Sequence, residues 1–391
     1  MKEKLFLLLD LLFHFVRPDP NKILFSSFHG QYNDNPKYIS EEIHKRHPEM
    51  ELYWVISEKS KNNDVPEYVR VLHYNTIRYC WIKNRCKVLV ENGAGYYLFD
   101  NSGSMFSLKK KLKNKKQFDL STWHGNPIKC IGAQIPGNEY WNEETVFTTS
   151  DMLVSGSKMI KGFFERAFLN KMPVELLGTP RTDILFRQDE ALKKTIKTKL
   201  GLPLDKKVVL YAPTYRDDPT ASGIEQMQQM DFDRLFEALQ GRFGGDWVFV
   251  FRVHNMVLLA LQSENVLEKY GDKMIDGNQF DDMAEYLFAC DVLLSDYSGC
   301  VFDVALTEKP CFLFAHDRAK YEQEERGFYF QISKFPYDFS DTFDDLIESI
   351  KTFDPVKNNS RRNEFLDYIG NVEDGKAAER AADLVLAQCR K

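Results

Sequence analysis

The sequence predicts an α/β protein made of two doubly wound, parallel-sheet domains facing a cleft. Three observations carry that prediction. Short β-rich apolar runs alternate with helical segments, the rhythm of parallel strands covered by helices on both faces. A polar stretch, RQDEALKKTIKTKLGLPLDKK, separates this rhythm into two sets. The chain has 391 residues, which makes about two to three domains at roughly 150 residues each. The expected divisions are a terminal helix over 1–20, a first domain over 21–186, a second over 187–370 and a closing helix over 371–391.

The first set opens with KILFSSF (22–28), a buried strand, and NPKYISEEIHKR (35–46), a helix with Asn35 at its cap and Pro36 in its first turn. ELYWVIS (51–57) and KVLVENG (87–93) are strands, with a helical NTIRYCWIKN (75–84) between them. FDLSTWHG and SDMLVSGS (150–157) follow, then a helix from about Lys158 to Leu169, and PVELLG (173–178) closes the set. The second set has strands VVLYAPT (208–214), WVFVFRVH (247–254), DVLLSD (291–296) and PCFLFA (310–315). The last stretch, KAAERAADLVLAQCRK, is a helix expected to pack back across the junction. No internal repeat interrupts this order.

Composition narrows the function classes. Hydrophobic residues make up 43% and aromatics 14%, enough for real cores. Lys and Arg total 52 against 58 Asp and Glu, a net charge of −6, which argues against a dedicated nucleic-acid binder. The seven cysteines are scattered and never form C-x-x-C. That fits neither a disulfide framework nor a structural zinc site, and it suits a reducing cytosol. The apolar run Leu5–Val16 is too short to span a bilayer, is broken by Asp10 and His14, and precedes no small-residue cleavage site. Two readings of it stay open: a helix lying on a membrane surface, with Lys2, Lys4 and Arg17 at its edges, or a helix packed on the protein's own core. The lysines at Lys109, Lys110, Lys111, Lys113, Lys115 and Lys116 form either a solvated face or a patch for an anionic membrane or polyanion.

Ligands of open parallel sheets bind beyond the carboxyl ends of the strands. His124 and Gly125 follow one strand, YAPTYRDD another, Arg252-Val253-His254 a third and SDYSG a fourth. Polar, phosphate-competent groups thus recur at one topological end. Each has a plainer reading. His124 could cap a strand, Arg252 and His254 could be an exposed pair on one face, and Asp296 to Gly299 could simply begin a helix. Functionally, a guanidinium beside an imidazole makes an oxyanion clamp, and small residues at a helix start leave amides free for an anion. LGTPRTDILF (177–186) reads as a hinge with an Arg181–Asp183 pair.

The ordered stretches FHGQYNDNPKYI, TWHGNPIKCIG, LGTPRTDIL, YAPTYRDD, FRVH and SDYSGCVFDVALTEKPCFLF, continuing through DRAKYEQEERGFYF, run from about residue 23 to 330. In this combination the chain resembles the CDP-glycerol glycerophosphotransferase family, the primases and polymerases of teichoic acids and related capsules. The resemblance implies a GT-B-like fold of two Rossmann-type domains, the first binding the acceptor and the second a CDP-polyol. It implies attack of an acceptor hydroxyl on the β-phosphorus of a CDP-polyol such as CDP-glycerol, with CMP leaving. The family's two important histidines correspond to His124 and His254. The chain departs from the family at Asn255, usually proline, and at Gly299, usually serine, changes of loop shape that leave the charged groups in place.

On that resemblance His124 is the expected base, and Arg252 and His254 stabilise charge on the phosphates. Tyr211, Thr214, Arg216, Asp296, Ser298, Gly299 and Cys300 are the expected donor-binding residues. Asn35, Lys37, Gly125 and Lys129 are expected on the acceptor side. No metal and no cofactor is required. The implied partners are CDP-glycerol or another CDP-polyol, a polyol-phosphate polymer or lipid-linked primer, and the inner leaflet of the cytoplasmic membrane, with no nucleic acid. Rival readings are a ribitol-phosphate transferase, a GT-B glycosyltransferase using a nucleotide sugar, and a non-catalytic module binding polyanion or membrane through the lysine cluster.

Overall fold

The computed structural model describes residues 2–57, 64–93, 114–137, 150–214, 229–252, 269–318, 327–331 and 334–391. Arg216, His254, Asn255, Lys109, Lys110, Lys111 and Lys113 lie outside the described residues. The chain forms two compact units. The first comprises Met1–Gly125, Ile131–Ile184 and Gly370–Lys391, and the second Asn126–Cys130 and Leu185–Ile369. The chain therefore leaves the first unit directly after His124-Gly125 and returns five residues later.

In the first unit the chain runs α1 (Lys2–Leu12), β1 (Asp19–Phe25), α2 (Asp34–Arg46), β2 (Glu51–Val55), β3 (Arg70–Leu72), α3 (Ile77–Arg85), β4 (Cys86–Glu91), β5 (Phe118–Ser121), β6 (Met152–Ser155), α4 (Lys158–Ala167) and β7 (Val174–Leu176). Its sheet has the order β3-β2-β1-β4-β5-β6-β7, and every pairing is parallel. The second unit adds α5 (Glu190–Lys199), β8 (Lys207–Tyr211), α6 (Phe232–Phe243), β9 (Trp247–Phe251), β10 (Met274–Asp276), α7 (Met283–Ala289), β11 (Val292–Ser295), α8 (Cys300–Val304), β12 (Cys311–Phe314), β13 (Phe339–Ser340), α9 (Phe343–Lys351) and α10 (Pro355–Ile369). Its order is β10-β9-β8-β11-β12-β13, again parallel throughout. Both sheets follow the Rossmann winding, in which the strand order reverses beside the first strand. The reversal points are β1/β4 and β8/β11.

Strand alternation sorts the cores. Ile23 and Phe25 join Trp54 and Val88 on one face of the first sheet, while Leu24 joins Tyr53 and Leu89 on the other. Phe25 stacks on Trp54 with ring centroids 5.3 Å apart. Each such side chain contributes about 1.5–3 kcal/mol by leaving water. The final helix, α11 (Ala377–Cys389), lays Ala381, Ala382 and Val385 on the first of these faces. It therefore belongs to the first unit. Asp183 caps it, accepting from the amides of Ala377 (2.9 Å) and Ala378 (2.7 Å). Burial pushes the Asp183 carboxyl up to about 6.

The expected Arg181–Asp183 pair is thus replaced by two separate bonds, since Arg181 turns to Asp34 at 3.1 Å. The helix after β1 also starts earlier than expected. Asn33, not Asn35, is its cap, and Pro36 is its third residue. The two- and three-residue strands β3, β10 and β13 were not anticipated, because so few residues make no recognisable apolar run.

At the amino terminus, Asp10 points inward. It accepts from Lys83 Nζ and Asn84 Nδ2, each at 2.7 Å. The charge that breaks the apolar run is what fastens α1 to α3. The opposite side stays open, with Leu8, Leu12 and Phe15 exposed by 58%, 64% and 74%. Among the described residues no helix is long and apolar enough to cross a membrane.

Candidate active site

The carboxyl edge of the first sheet gathers four strand ends. Ser27 follows β1, Asn92 follows β4, His124 follows β5 and Arg181 follows β7. His124 Nδ1 lies 2.9 Å from the Asn92 carbonyl oxygen. A carbonyl only accepts, so Nδ1 carries the proton and Nε2 carries the lone pair. The ring stacks on Trp123 (centroids 4.5 Å apart) and meets Phe28 edge-on (4.4 Å). Burial pulls the His124 imidazole below its ordinary value of 6.5, against the smaller raising effects of the Asn92 bond and of Asp34. Arg181 adds to the lowering. At neutral pH the ring is therefore neutral, with a free, basic Nε2.

The turn that displays His124 is strained. Trp123 has a φ of +51°, a left-handed conformation costing a non-glycine residue about 1–3 kcal/mol. Packing of its indole against Phe164 (5.7 Å) and Phe168 (5.4 Å) offsets this. Gly125, with a φ of +141°, takes a conformation side-chain-bearing residues avoid. A Cβ there would also lie 3.0 Å from Arg181 Nη2. Gly125 thus makes room for the arginine, which donates from Nη1 to the His124 carbonyl oxygen at 2.7 Å.

Three of the expected acceptor-side residues are placed differently. Asn35 is fully buried. Its amide donates to the carbonyls of Thr122 (3.3 Å) and Trp123 (3.0 Å), and its oxygen accepts from the Arg181 amide at 3.0 Å. It braces the turn from behind. Lys37 is buried, its ammonium 5.0 Å above the Tyr38 ring. Lys129 lies in the short segment of the second unit and bridges to Phe328.

In the second unit, Asp296 follows β11 and Thr214 follows β8, the two strands at the reversal point. Asp296 is buried and accepts from Thr214 N at 2.7 Å and Thr214 Oγ1 at 2.6 Å. This pins together two loops at the edge where Rossmann sheets take their ligands. Tyr211 does not line that edge, because it is fully buried in the core against Phe249 at 5.6 Å. Cys300 is likewise buried. Its thiol bonds Ser298 Oγ at 3.3 Å, and burial pushes it up to about 11. Ser298 stays partly exposed. The helix that follows, α8, is a single turn, too short for a strong dipole. Gly299 has its own reason to lack a side chain: a Cβ would sit 3.0 Å from the Asn126 carbonyl oxygen.

Arg252 also differs from expectation. Its Nη1 donates to the carbonyls of Gly277 (2.8 Å) and Phe280 (2.5 Å), and its guanidinium lies 4.8 Å from the Tyr286 ring centroid. The side chain bolts the loop after β10 in place. Gly277 accommodates it, since a Cβ there would come within 2.8 Å of Arg252 Cγ. Sequence reasoning missed Asn92 and Asp34. The rule that found His124 also points to Asn92, which stands next to the end of KVLVENG at the same edge.

Among the described residues no group of three His, Cys, Asp or Glu side chains could hold a metal ion. The family model described as CDP-Glycerol:Poly(glycerophosphate) glycerophosphotransferase matches residues 9–387. The chain is 30% identical over 386 residues to the teichoic acid poly(glycerol phosphate) polymerase of Staphylococcus epidermidis, covering 94% of this chain and 50% of that protein. It thus spans half the length of that relative. It is 29% identical over 385 residues to the teichoic acid glycerol-phosphate transferase of Staphylococcus aureus, covering 94% of this chain and 93% of that one. The solved structure of the wall teichoic acid polymerase TagF superposes with a TM-score of 0.79 at 29% identity, covering 100% of this chain and 94% of that one. TagF thereby supports the GT-B-like class for this fold.

Proposed function

The chain belongs to the CDP-glycerol:poly(glycerophosphate) glycerophosphotransferase family, and from that premise we propose that it moves glycerol phosphate from CDP-glycerol to a hydroxyl of a teichoic-acid polymer or its lipid-linked primer. The observation that carries this reading is the 2.9 Å contact of His124 Nδ1 with the Asn92 carbonyl oxygen, which leaves Nε2 as the nitrogen able to act as base.

In the proposed reaction, Nε2 takes the proton of the acceptor hydroxyl as its oxygen attacks the β-phosphorus. A new P–O bond forms, the bond to the bridging oxygen breaks, and CMP leaves with that electron pair. Positioning and charge stabilisation supply the remainder. Thr214, Asp296 and Ser298 hold the donor side, joined by Arg216 and His254. Arg252 serves there as the brace of the neighbouring loop. Glycerol is preferred over ribitol because the family description and both relatives above name glycerol phosphate.

We further propose that the first unit rests on the inner face of the cytoplasmic membrane. Leu8, Leu12 and Phe15, with Ile77 and Trp81 on α3, expose apolar surface, and Phe13 packs edge-on against Trp81 at 5.3 Å. Lys116 bonds the carbonyl oxygens of His14 and Phe15 at 3.0 and 3.5 Å, bringing positive charge to the same patch.

The test is CMP release from CDP-glycerol with an oligomeric glycerol-phosphate acceptor, for wild type and His124→Ala. CMP formed by wild type and lost in the variant supports the reading. CMP from CDP-ribitol alone would change the polyol, and release of a nucleoside diphosphate from a nucleotide sugar would overturn the reaction class.

A further inference from the structure

We infer that Asp34, acting through Asn92, is a positioning residue that holds His124 in its reactive tautomer. The inference rests on His124 being the base and deepens that reading.

Nothing charged accepts the His124 Nδ1 proton. A backbone carbonyl does, that of Asn92, and a carbonyl following a strand has no ladder to fix its direction. The Asn92 side chain supplies that direction. It is buried, and its Nδ2 donates to Ser27 Oγ at 2.9 Å and to Asp34 Oδ2 at 2.8 Å. The amide has one sensible orientation, because turning it round would set its oxygen against the Asp34 carboxylate. Asp34 in turn is gripped through Oδ1 by Arg181 Nη1 (3.1 Å) and by the Asn35 amide (2.8 Å). The same Arg181 Nη1 holds the His124 carbonyl oxygen. The carboxylate therefore steadies the imidazole from two sides: Asn92 fixes the ring, and Arg181 fixes its backbone.

Two further observations single out Asp34. Its φ is +58°, a conformation that Asn and Asp adopt more readily than other side-chain-bearing residues. It is also buried, where an unpaired carboxylate would be costly. A strained, buried carboxylate beside a strand-reversal point, bonded to the two residues that hold the His124 ring and its backbone, is arranged for position. Among the described residues, Asp34 and Arg181 are the charged groups that act on the ring.

The test uses Asp34→Asn, since asparagine keeps the shape and tolerates the left-handed backbone. The amide it introduces meets three donors, Arg181 Nη1 and the Asn35 amide on one side and Asn92 Nδ2 on the other, and its single oxygen cannot accept from both sides. With the intact protein and CDP-glycerol plus glycerol-phosphate acceptor, kcat should fall about 10- to 100-fold, the usual cost of losing an orienting partner. KM for CDP-glycerol should stay near wild type. The acid limb of the pH profile should move to lower pH, because an anion that favours imidazolium has gone. Nitrogen-15 spectra of the histidines should show Nδ1–H with bare Nε2 at His124 in wild type and a mixture of tautomers in the variant. Asn92→Ala, which keeps the carbonyl but frees it, should reproduce the kcat loss and the mixed tautomers.

If both variants fold with wild-type kcat while His124→Ala is inactive, the positioning role is wrong and the base survives. A loss of kcat with the acid limb and the tautomer unmoved would reduce Asp34 to a structural role. If His124→Ala keeps full activity, the base reading itself falls.

Discussion

The two units share one winding but furnish their carboxyl edges differently. In the first, side chains from four strand ends converge on His124, and two non-glycine residues, Asp34 and Trp123, are held left-handed to build the turn. In the second, one buried carboxylate, Asp296, pins Thr214, and the most conspicuous cation, Arg252, is engaged by its own loop. Strain and polar networks concentrate around His124, the residue proposed to move a proton. A simpler anchor suffices where a ligand must only be held. On the reading proposed above, proton handling falls to the first unit and donor binding to the second.

The sharpest way to break this division is to delete the base. His124→Ala should lower kcat for CMP release by about 10²- to 10⁴-fold while calorimetric affinity for CDP-glycerol stays unchanged. A large loss of donor affinity would mean the first unit also grips the donor.

The converse variant, Asp296→Ala, frees two loops at the reversal point. Donor affinity should weaken by about 1.5–3 kcal/mol, the range for hydrogen bonds to a charged group, which is roughly 10- to 150-fold in Kd. Saturating kcat should change much less. An effect confined to kcat would blur the comparison.

Smaller is the effect expected of Arg252→Met. It leaves the carbonyls of Gly277 and Phe280 without this donor and should cost about 1–3 kcal/mol of stability, read from the urea midpoint. Unchanged stability with lost activity would return Arg252 to the phosphates. Smallest is Gly299→Ser, which restores the family's usual residue. Its Cβ crowds the Asn126 carbonyl at 3.0 Å, and a small shift should confine the cost to within about 1 kcal/mol, by the same measurement.

Much of this was legible in the sequence, for physical reasons. Ile23, Leu24 and Phe25 are apolar in succession because a parallel strand is buried on both faces. His124 stood out because it follows such a strand. What sequence could not give is partnership across the sheet. Asp34 and Arg181 meet although 147 residues separate them, and only the strand order brings their loops together. Side-chain direction was equally hidden. Tyr211 and Asn35 belong to motifs that read as ligand-facing, yet one points into the core and the other back at the chain. Asp10, read as an interruption, became a buried partner for Lys83, since burial of a charge depends on what lies opposite.

The most direct measurement of the central claim is kcat/KM for CMP release from CDP-glycerol as a function of pH, for wild type and His124→Ala. Burial holds the His124 imidazole below 6.5, so its protonation should quench the wild type only on the acid side of that value. The rate should rise with pH through a limb below 6.5 and then level, and that limb should vanish in the variant along with most of the rate. A limb that persists in His124→Ala, or one lying well above pH 7 in wild type, would contradict the assignment of proton transfer to the first unit.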